Sequence, residues 1–438
     1  MKIFSKLILI ILLTSCDDSH NTNTEEMENA LSNMYWTIQS GTISNDVIHD
    51  ITIDKNDNIY LSGYSQGSLD GYSNIGNRDV ILLKYDKSGK IEWSSQFGTT
   101  SNDEGKGIKN DSQNNVYVVG TTYSGIDGNT YVGLSDLFLF KYNDSGLKQW
   151  SRQLGTSNID QALSLFLDNS NNIFLTGRTN SDLVTNANKD NKSDYFIVKY
   201  DNSGNKISTN QFGVSKDDIS FDLIGDSTGN IYVTGSTSNT LDNESYVGGK
   251  DIFLVKFDSS LNRMWTKTLG TTNDEEAYNI AMDSLGNSYI VGYTRGALDG
   301  NSRYGEINDK DIFIIKYDED GNKEWSLQEG TSSEDVAYSV AVDSSDYIYI
   351  TGKTCSDFKG NSHKGDCDYF LKKINSSGKM IWTRQGGTSY LDISLGIDFD
   401  SFDNVFVCGY TFGSIDGKNN LGGADFFVVK YNKYGYKQ

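Results

Sequence analysis

From Trp36 onward, apolar and small polar residues alternate in short runs, each closed by Asn, Asp, Ser or Gly. Such alternation marks half-buried strands, and helical periodicity is nearly absent. The segment 277–328 shows one cycle. Ala277 to Met282 predicts a strand, Asp283-Ser284-Leu285-Gly286 a tight turn, and Asn287 to Gly292 a second strand. A longer loop through Leu298-Asp299-Gly300 leads to Asp311, and Ile312 to Tyr317 predicts a third strand. Asp318-Glu319-Asp320-Gly321 is another turn, and Lys323 to Gln328 a fourth strand.

The cycle recurs seven times at a period of about 57 residues. Trp-x-x-Gln-x-Gly begins at Trp36, Trp93, Trp150, Trp325 and Trp382; Thr268 replaces Gln in the copy at Trp265, and Ser208 replaces Trp in another. A glycine two residues after an aromatic-aliphatic pair recurs at Gly63, Gly120, Gly177, Gly235, Gly292, Gly352 and Gly409. A third marker is Asp, four mostly apolar residues and Lys, as in Asp79/Lys84 and Asp251/Lys256. The first Trp strand precedes the first full unit, and Tyr434-Gly435-Tyr436-Lys437-Gln438 stands where an eighth Trp would fall. Pairing the Trp36 strand with the last unit closes a ring and leaves no open edge. The expectation is an all-β, seven-bladed β-propeller of four-stranded antiparallel blades, spanning residues 34–438. Small residues in the first strand, such as Ala277 and Ala281, suit crowding near the axis, and Trp in the fourth suits an outer, covering position.

Asn-Ile-Tyr-Val-Thr-Gly (230–235), Asp-Ile-Phe-Leu-Val-Lys-Phe-Asp (251–258) and Trp-Ser-Arg-Gln-Leu-Gly-Thr (150–156) resemble the bacterial β-propeller repeat family abbreviated SBBP. The resemblance recurs along nearly all of 34–438. It implies an exported propeller and offers no catalytic residues to carry over. The missing Trp at Ser208 and the long loop through Thr185 and Asp190 depart from the pattern and bear on local packing.

Composition adds an address. Lys2 and Lys6 precede an apolar stretch, Leu7 to Leu13, too short to span a membrane, so residues 1–15 read as a secretory signal. Leu13-Thr14-Ser15-Cys16 resembles a bacterial lipobox, which implies cleavage before Cys16 and acylation of its thiol and amine; an ordinary signal with an incidental Cys is the alternative. Residues 16–33 would be a flexible lipidated tether, of span roughly 20–25 Å, holding the protein on a membrane. The expected address is the cell envelope, as an outer-membrane or surface lipoprotein or one facing the periplasm. The net charge of −21, which loses two more positive charges with Lys2 and Lys6, argues against nucleic acid as a partner. Cys355 and Cys367 share a loop of the sixth unit, and export predicts a disulfide; a metal site of Cys355, His363 and Cys367 is the rival, with no fourth soft ligand nearby. Cys408 reads as a small buried side chain.

Antiparallel order puts the tight turns on one face of the disc and the long loops on the other, where variable binding surface belongs. The tether leaves from the short-turn face, so the long loops point away from the membrane. Each connection from strand four to strand one ends in an acid: Asp46, Asp103, Asp160, Asp218, Glu275, Asp335 and Asp392. The topology predicts an acid ring near one channel mouth. It would serve either as a cation site, with calcium the natural candidate, or as structure, each acid capping its turn or pairing with a strand-three Lys. The strand-three lysines should find carboxylates, either the Asp five residues earlier or the connection acid. The Leu/Ile-Asp-Gly/Asn triplets, such as Ile126-Asp127-Gly128, read as turns, because no EF-hand pattern closes with Glu.

Three residues after each ring acid stand His49, Lys106, Leu163, Phe221, Tyr278, Tyr338 and Leu395, non-equivalent groups able to form an asymmetric patch. No nucleophile elbow, P-loop or dinucleotide fingerprint occurs. The expectation is a monomeric, lipid-anchored, non-catalytic scaffold that presents its long-loop face to a protein or glycan and needs no cofactor. The alternatives are an envelope-assembly scaffold and a carbohydrate-active enzyme using channel carboxylates.

Overall fold

The computed structural model describes residues 36–185 and 192–438. The signal, the tether and Cys16 lie outside the described residues, as does most of the loop after Thr185. Twenty-eight strands, β1 to β28 in chain order, form seven four-stranded antiparallel sheets. Blade 1 is β2 (Asp46–Ile53), β3 (Ile59–Ser65), β4 (Asp79–Tyr85) and β5 (Ile91–Phe97), and blades 2 to 6 repeat it. Blade 7 joins both ends of the described chain: β26 (Asp392–Phe399), β27 (Val405–Thr411), β28 (Asp425–Tyr431) and, outermost, β1 (Thr37–Ser40). The pairing of β1 with β28 runs from Thr37 opposite Val429 to Ser40 opposite Phe426. The seven-bladed propeller predicted from the repeats is the fold, closed as the marker order required. Among the described residues no helix is long and apolar enough to cross a membrane.

Blades stack through apolar clusters that each draw on two neighbours. Ile48, Leu61 and Leu83 of blade 1, for example, pack with Phe406, Cys408 and Val428 of blade 7. The outer Trp bridges this stack. Trp93 meets the buried Tyr60 ring of its own blade edge-on, at 6.2 Å between centroids. It also covers the turn of blade 2, where a Cβ on Gly146 would come 2.7 Å from its ring. The same relation holds for Trp265 over Gly321 and Trp382 over Gly435. Where Ser208 stands for Trp, the facing turn of blade 4 carries Leu261 in place of that glycine, buried and at φ 63°. Leu261 joins the apolar cluster that contains Phe174, the ring a Trp at 208 would have covered.

The second marker has an equally local cause. Every strand one shifts register by one residue beside the strand-two glycine, as at Ile48/Asp50 in blade 1 and Ser220/Asp222 in blade 4. A Cβ on Gly63 or Gly235 would lie 1.9 Å from the carbonyl oxygen of Val47 or Ile219. No side chain fits there, so glycine is what lets the bulged strand close on its neighbour.

Candidate functional site

The bulge delivers its extra residue to the axis. The skipped residues of the seven strands are His49, Lys106, Leu163, Phe221, Tyr278, Tyr338 and Leu395, and all line the central channel, a cavity of about 540 Å³. The asymmetric patch anticipated from the sequence is therefore real, and it lies toward the long-loop end because the bulge falls early in strand one. Its two sides differ. Phe221 meets Tyr278 at 5.0 Å and 87°, and Tyr278 stacks on Tyr338 at 5.4 Å and 26°. Across the channel, Lys106 Nζ donates to Glu104 at 2.7 Å and approaches His49 Nε2 at 3.2 Å. His49 Nδ1 lies 2.8 Å from the Gly105 carbonyl. Burial, reinforced by Lys106, pushes the imidazole down to about 3, so it is neutral with Nδ1 donating and Nε2 accepting. Burial works to raise Glu104, but Lys106 and Arg78 outweigh it and hold this carboxylate at about 2.

Deeper in the channel, carboxylates latch blades together. Asp50 accepts the Ile108 amide at 3.0 Å, Asp398 the Ile53 amide at 2.7 Å, and Asp222 the Ile280 amide at 3.1 Å. Burial raises Asp222 and Asp398 to about 6.

The long-loop face carries a second repeated feature. In each described long loop, a main-chain N–H a few residues before strand three donates to that strand's first Asp. Ile75 donates to Asp79 at 2.8 Å, Val132 to Asp136 at 3.0 Å, Val247 to Asp251 at 2.8 Å and Leu421 to Asp425 at 3.0 Å. Tyr304 donates to Asp311 at 2.9 Å in blade 5, and Lys364 to Asp368 at 3.0 Å in blade 6. A glycine follows each donor, and at Gly76, Gly133, Gly365 and Gly422 an added Cβ would press on the neighbouring blade's connection, as Gly76 would at 2.2 Å from the Ser101 carbonyl. With the backbone so held, the side chain stands out. Ile75, Val132, Val247, Tyr304 and Leu421 are 41–57% exposed and form an apolar crown, broken by Lys364.

The β-propeller repeat model SBBP matches residues 36–70, 92–127, 149–183, 265–298, 324–359 and 381–416. Each match starts at or one residue before a marker Trp, and the stretch with Ser208 is not among them. The chain belongs to the SBBP β-propeller repeat family.

Relatives are more distant than the repeat itself. A WD repeat-containing protein of Acanthamoeba polyphaga mimivirus is 25% identical over 97% of this chain and 35% of its own length. The regulatory protein FlaEY of Caulobacter vibrioides is 27% identical over 37% of this chain and 19% of its own. The chain thus spans about a third and about a fifth of these curated relatives. Among solved structures, the Pan2 WD40 domain of Neurospora crassa superposes with a TM-score of 0.50 at 9% identity, covering 90% of this chain and 92% of that one, a likeness of fold.

The SBBP markers resolve into one framework. Gln96 Oε1 accepts the Leu69 amide at 2.9 Å, while its Nε2 donates to the Gly67 carbonyl at 2.8 Å and to Asp79 at 3.3 Å. The marker Gln, the marker Asp and the Leu-Asp-Gly triplet thus knit one long loop. The triplets are turns, with Asp127 and Asp299 at φ 55° and 54°.

The seven connection acids do not line the channel. Asp46, Asp103, Asp160, Asp218, Glu275, Asp335 and Asp392 are fully buried between blades. Each caps its own turn: Asp103 accepts the Thr99 amide at 2.6 Å and its hydroxyl at 2.9 Å, and Asp218 accepts the Val214 amide at 2.7 Å. The acid opens strand one but faces the preceding blade, whereas the bulge residue faces the axis. Among the described residues no group of three or more His, Cys, Asp or Glu side chains is arranged to hold a metal, at this ring or around Cys355, His363 and Cys367. Cys355 and Cys367 form a disulfide, and Cys408 is buried.

The strand-three lysines turn from both expected partners toward the short-turn face. Lys84 reaches Asp144 at 2.6 Å, Lys316 reaches Glu324 at 2.7 Å and Lys430 reaches Asp400 at 2.9 Å. Asp79 opens β4 and Lys84 lies five residues along it, about 16 Å away at the usual rise, so they cannot pair. The crown went unread in the sequence, although its signal is there: an apolar residue before glycine, as in Ile75-Gly76 and Val247-Gly248, shortly ahead of the marker Asp.

Proposed function

We propose that this SBBP protein is a non-catalytic scaffold, exported and held on a membrane by lipid at Cys16, whose long-loop face binds a protein partner. The observation that carries the reading is the crown. Single exposed apolar side chains are ordinary, but five on equivalent loops, each with its main-chain N–H bonded to the first Asp of strand three, make a preformed apolar surface. With a net charge of −21, a second copy and an anionic lipid surface are both repelled; a partner joining apolar and basic side chains is favoured. The neutral, fully bonded His49 and the latched channel carboxylates support binding over catalysis. Trp36, with the tether before it, stands at the short-turn end of its strand, which supports a crown facing away from the membrane.

The test is site-specific photo-crosslinking in the native host. A crosslinker at Ile75, Val247 or Leu421 gives one discrete protein adduct, and one at Leu285 or Phe402, on short turns, does not. The adduct disappears when Val132→Asp is added. Equal adducts from both faces would sink the reading. Glycan-array binding without any protein adduct would replace the protein partner with a glycan.

A further inference from the structure

We infer that the channel mouth is a receptor for one cationic side chain, Lys or Arg, carried by the partner that docks on the crown; the inference rests on that docking reading. Phe221 and Tyr278 stand nearly perpendicular, and Tyr338 extends the wall, so three half-buried rings make a corner open to the channel. Aromatic faces attract cations most strongly where water is excluded. Elsewhere at the same mouth the protein satisfies its own rings this way: Arg78 sits 4.6 Å over Tyr64, and Lys310 sits 4.3 Å over Tyr293. Among the described residues no cation covers Phe221, Tyr278 or Tyr338.

The opposite wall does not compete for an anion. Lys106 and Arg78 both hold Glu104, and Lys106 also reaches His49, so these cations are internally engaged. Below the rings, Asp50, Asp222 and Asp398 share the channel with Lys109, which leaves a negative floor. An entering guanidinium or ammonium would meet π faces first and carboxylates beneath. A carboxylate would meet an excess of its own sign.

The full chain labelled with 3-fluorotyrosine tests this by fluorine NMR, with N-acetyl-arginine amide and N-acetyl-glutamate amide as probes. The arginine probe should shift the Tyr278 and Tyr338 signals saturably, and the glutamate probe should leave them unmoved. Phe221→Leu should weaken the arginine probe about fivefold. Tyr278→Phe, which keeps the ring, should bind as the parent does and identifies the Tyr278 signal. Saturable shifts from the glutamate probe, or arginine affinity unchanged by Phe221→Leu, would overturn the inference, as would absence of any shift in the unmutated protein. A normal arginine-probe shift in the unmutated protein together with no discrete adduct from the crown counts against the docking reading alone.

Discussion

At the scale of single residues, the repeated positions are frame and the variable ones are surface. The strand-two glycines show how strict the frame is. In blade 4, a methyl on Gly235 would press on the Ile219 carbonyl from 1.9 Å and on the Phe253 ring from 2.8 Å. Gly235→Ala is expected to cost about 1–3 kcal/mol of stability by overpacking. It should also move Phe221, the bulge residue of the same blade, and so weaken the arginine probe; thermal melting and the fluorine titration measure the two effects. A variant with parental melting and probe binding would mean that the bulge does not depend on that glycine.

At the scale of elements, Ser208 and Leu261 form a natural exchange for Trp and Gly across a blade seam. Leu261→Gly removes a buried side chain and is expected to cost about 2–5 kcal/mol, as large-to-small core changes do. Ser208→Trp alone should also destabilise, because Leu261 fills the space. The double variant restores the arrangement of the other blades and should recover most of the loss. A double-mutant cycle by chemical denaturation reads the coupling, and additive losses would show that the two sites do not share that space. The disulfide of blade 6 acts locally on its long loop: Cys355→Ser with Cys367→Ser should loosen that loop, seen as faster amide exchange near Lys364, while the other blades keep their protection.

At the scale of the whole molecule, buried seam carboxyls couple the ring to pH. Burial raises Asp218 from 3.8 to about 7 and Asp335 and Asp392 to about 6. The folded state therefore binds protons more tightly than the unfolded chain, so these groups stabilise most at low pH, and that contribution is lost as pH rises through about 6 to 7. His49, lowered to about 3, works in the opposite direction over part of the range, but it is one group against several. Melting temperature is expected to be higher near pH 5.5 than near pH 8, and Asp218→Asn should narrow the gap. A higher melting temperature at pH 8 would contradict the burial account. The proposed address is tested by protease shaving: cleavage on intact cells places the propeller outside, and protection until permeabilisation places it within the envelope.

The repeats alone were enough to set the blade count, the strand order within a blade and the closing strand, because alternation, turn residues and marker spacing are local signals repeated along the chain. The seven non-equivalent bulge residues were also legible, since they stand at one offset in every unit. Direction was not. The connection acids and the bulge residues are three positions apart in one strand, yet one set is buried between blades and the other faces the channel, because a register shift lies beside the bulge residues. The lysine partners were misplaced for a related reason: sequence distance along a strand is physical distance, and their carboxylates come from the opposite end of the blade and from the next one. The crown and the facing of Phe221, Tyr278 and Tyr338 depend on how neighbouring blades press on loops and bulges. Those contacts join residues far apart in the chain, and only the closed ring brings them together.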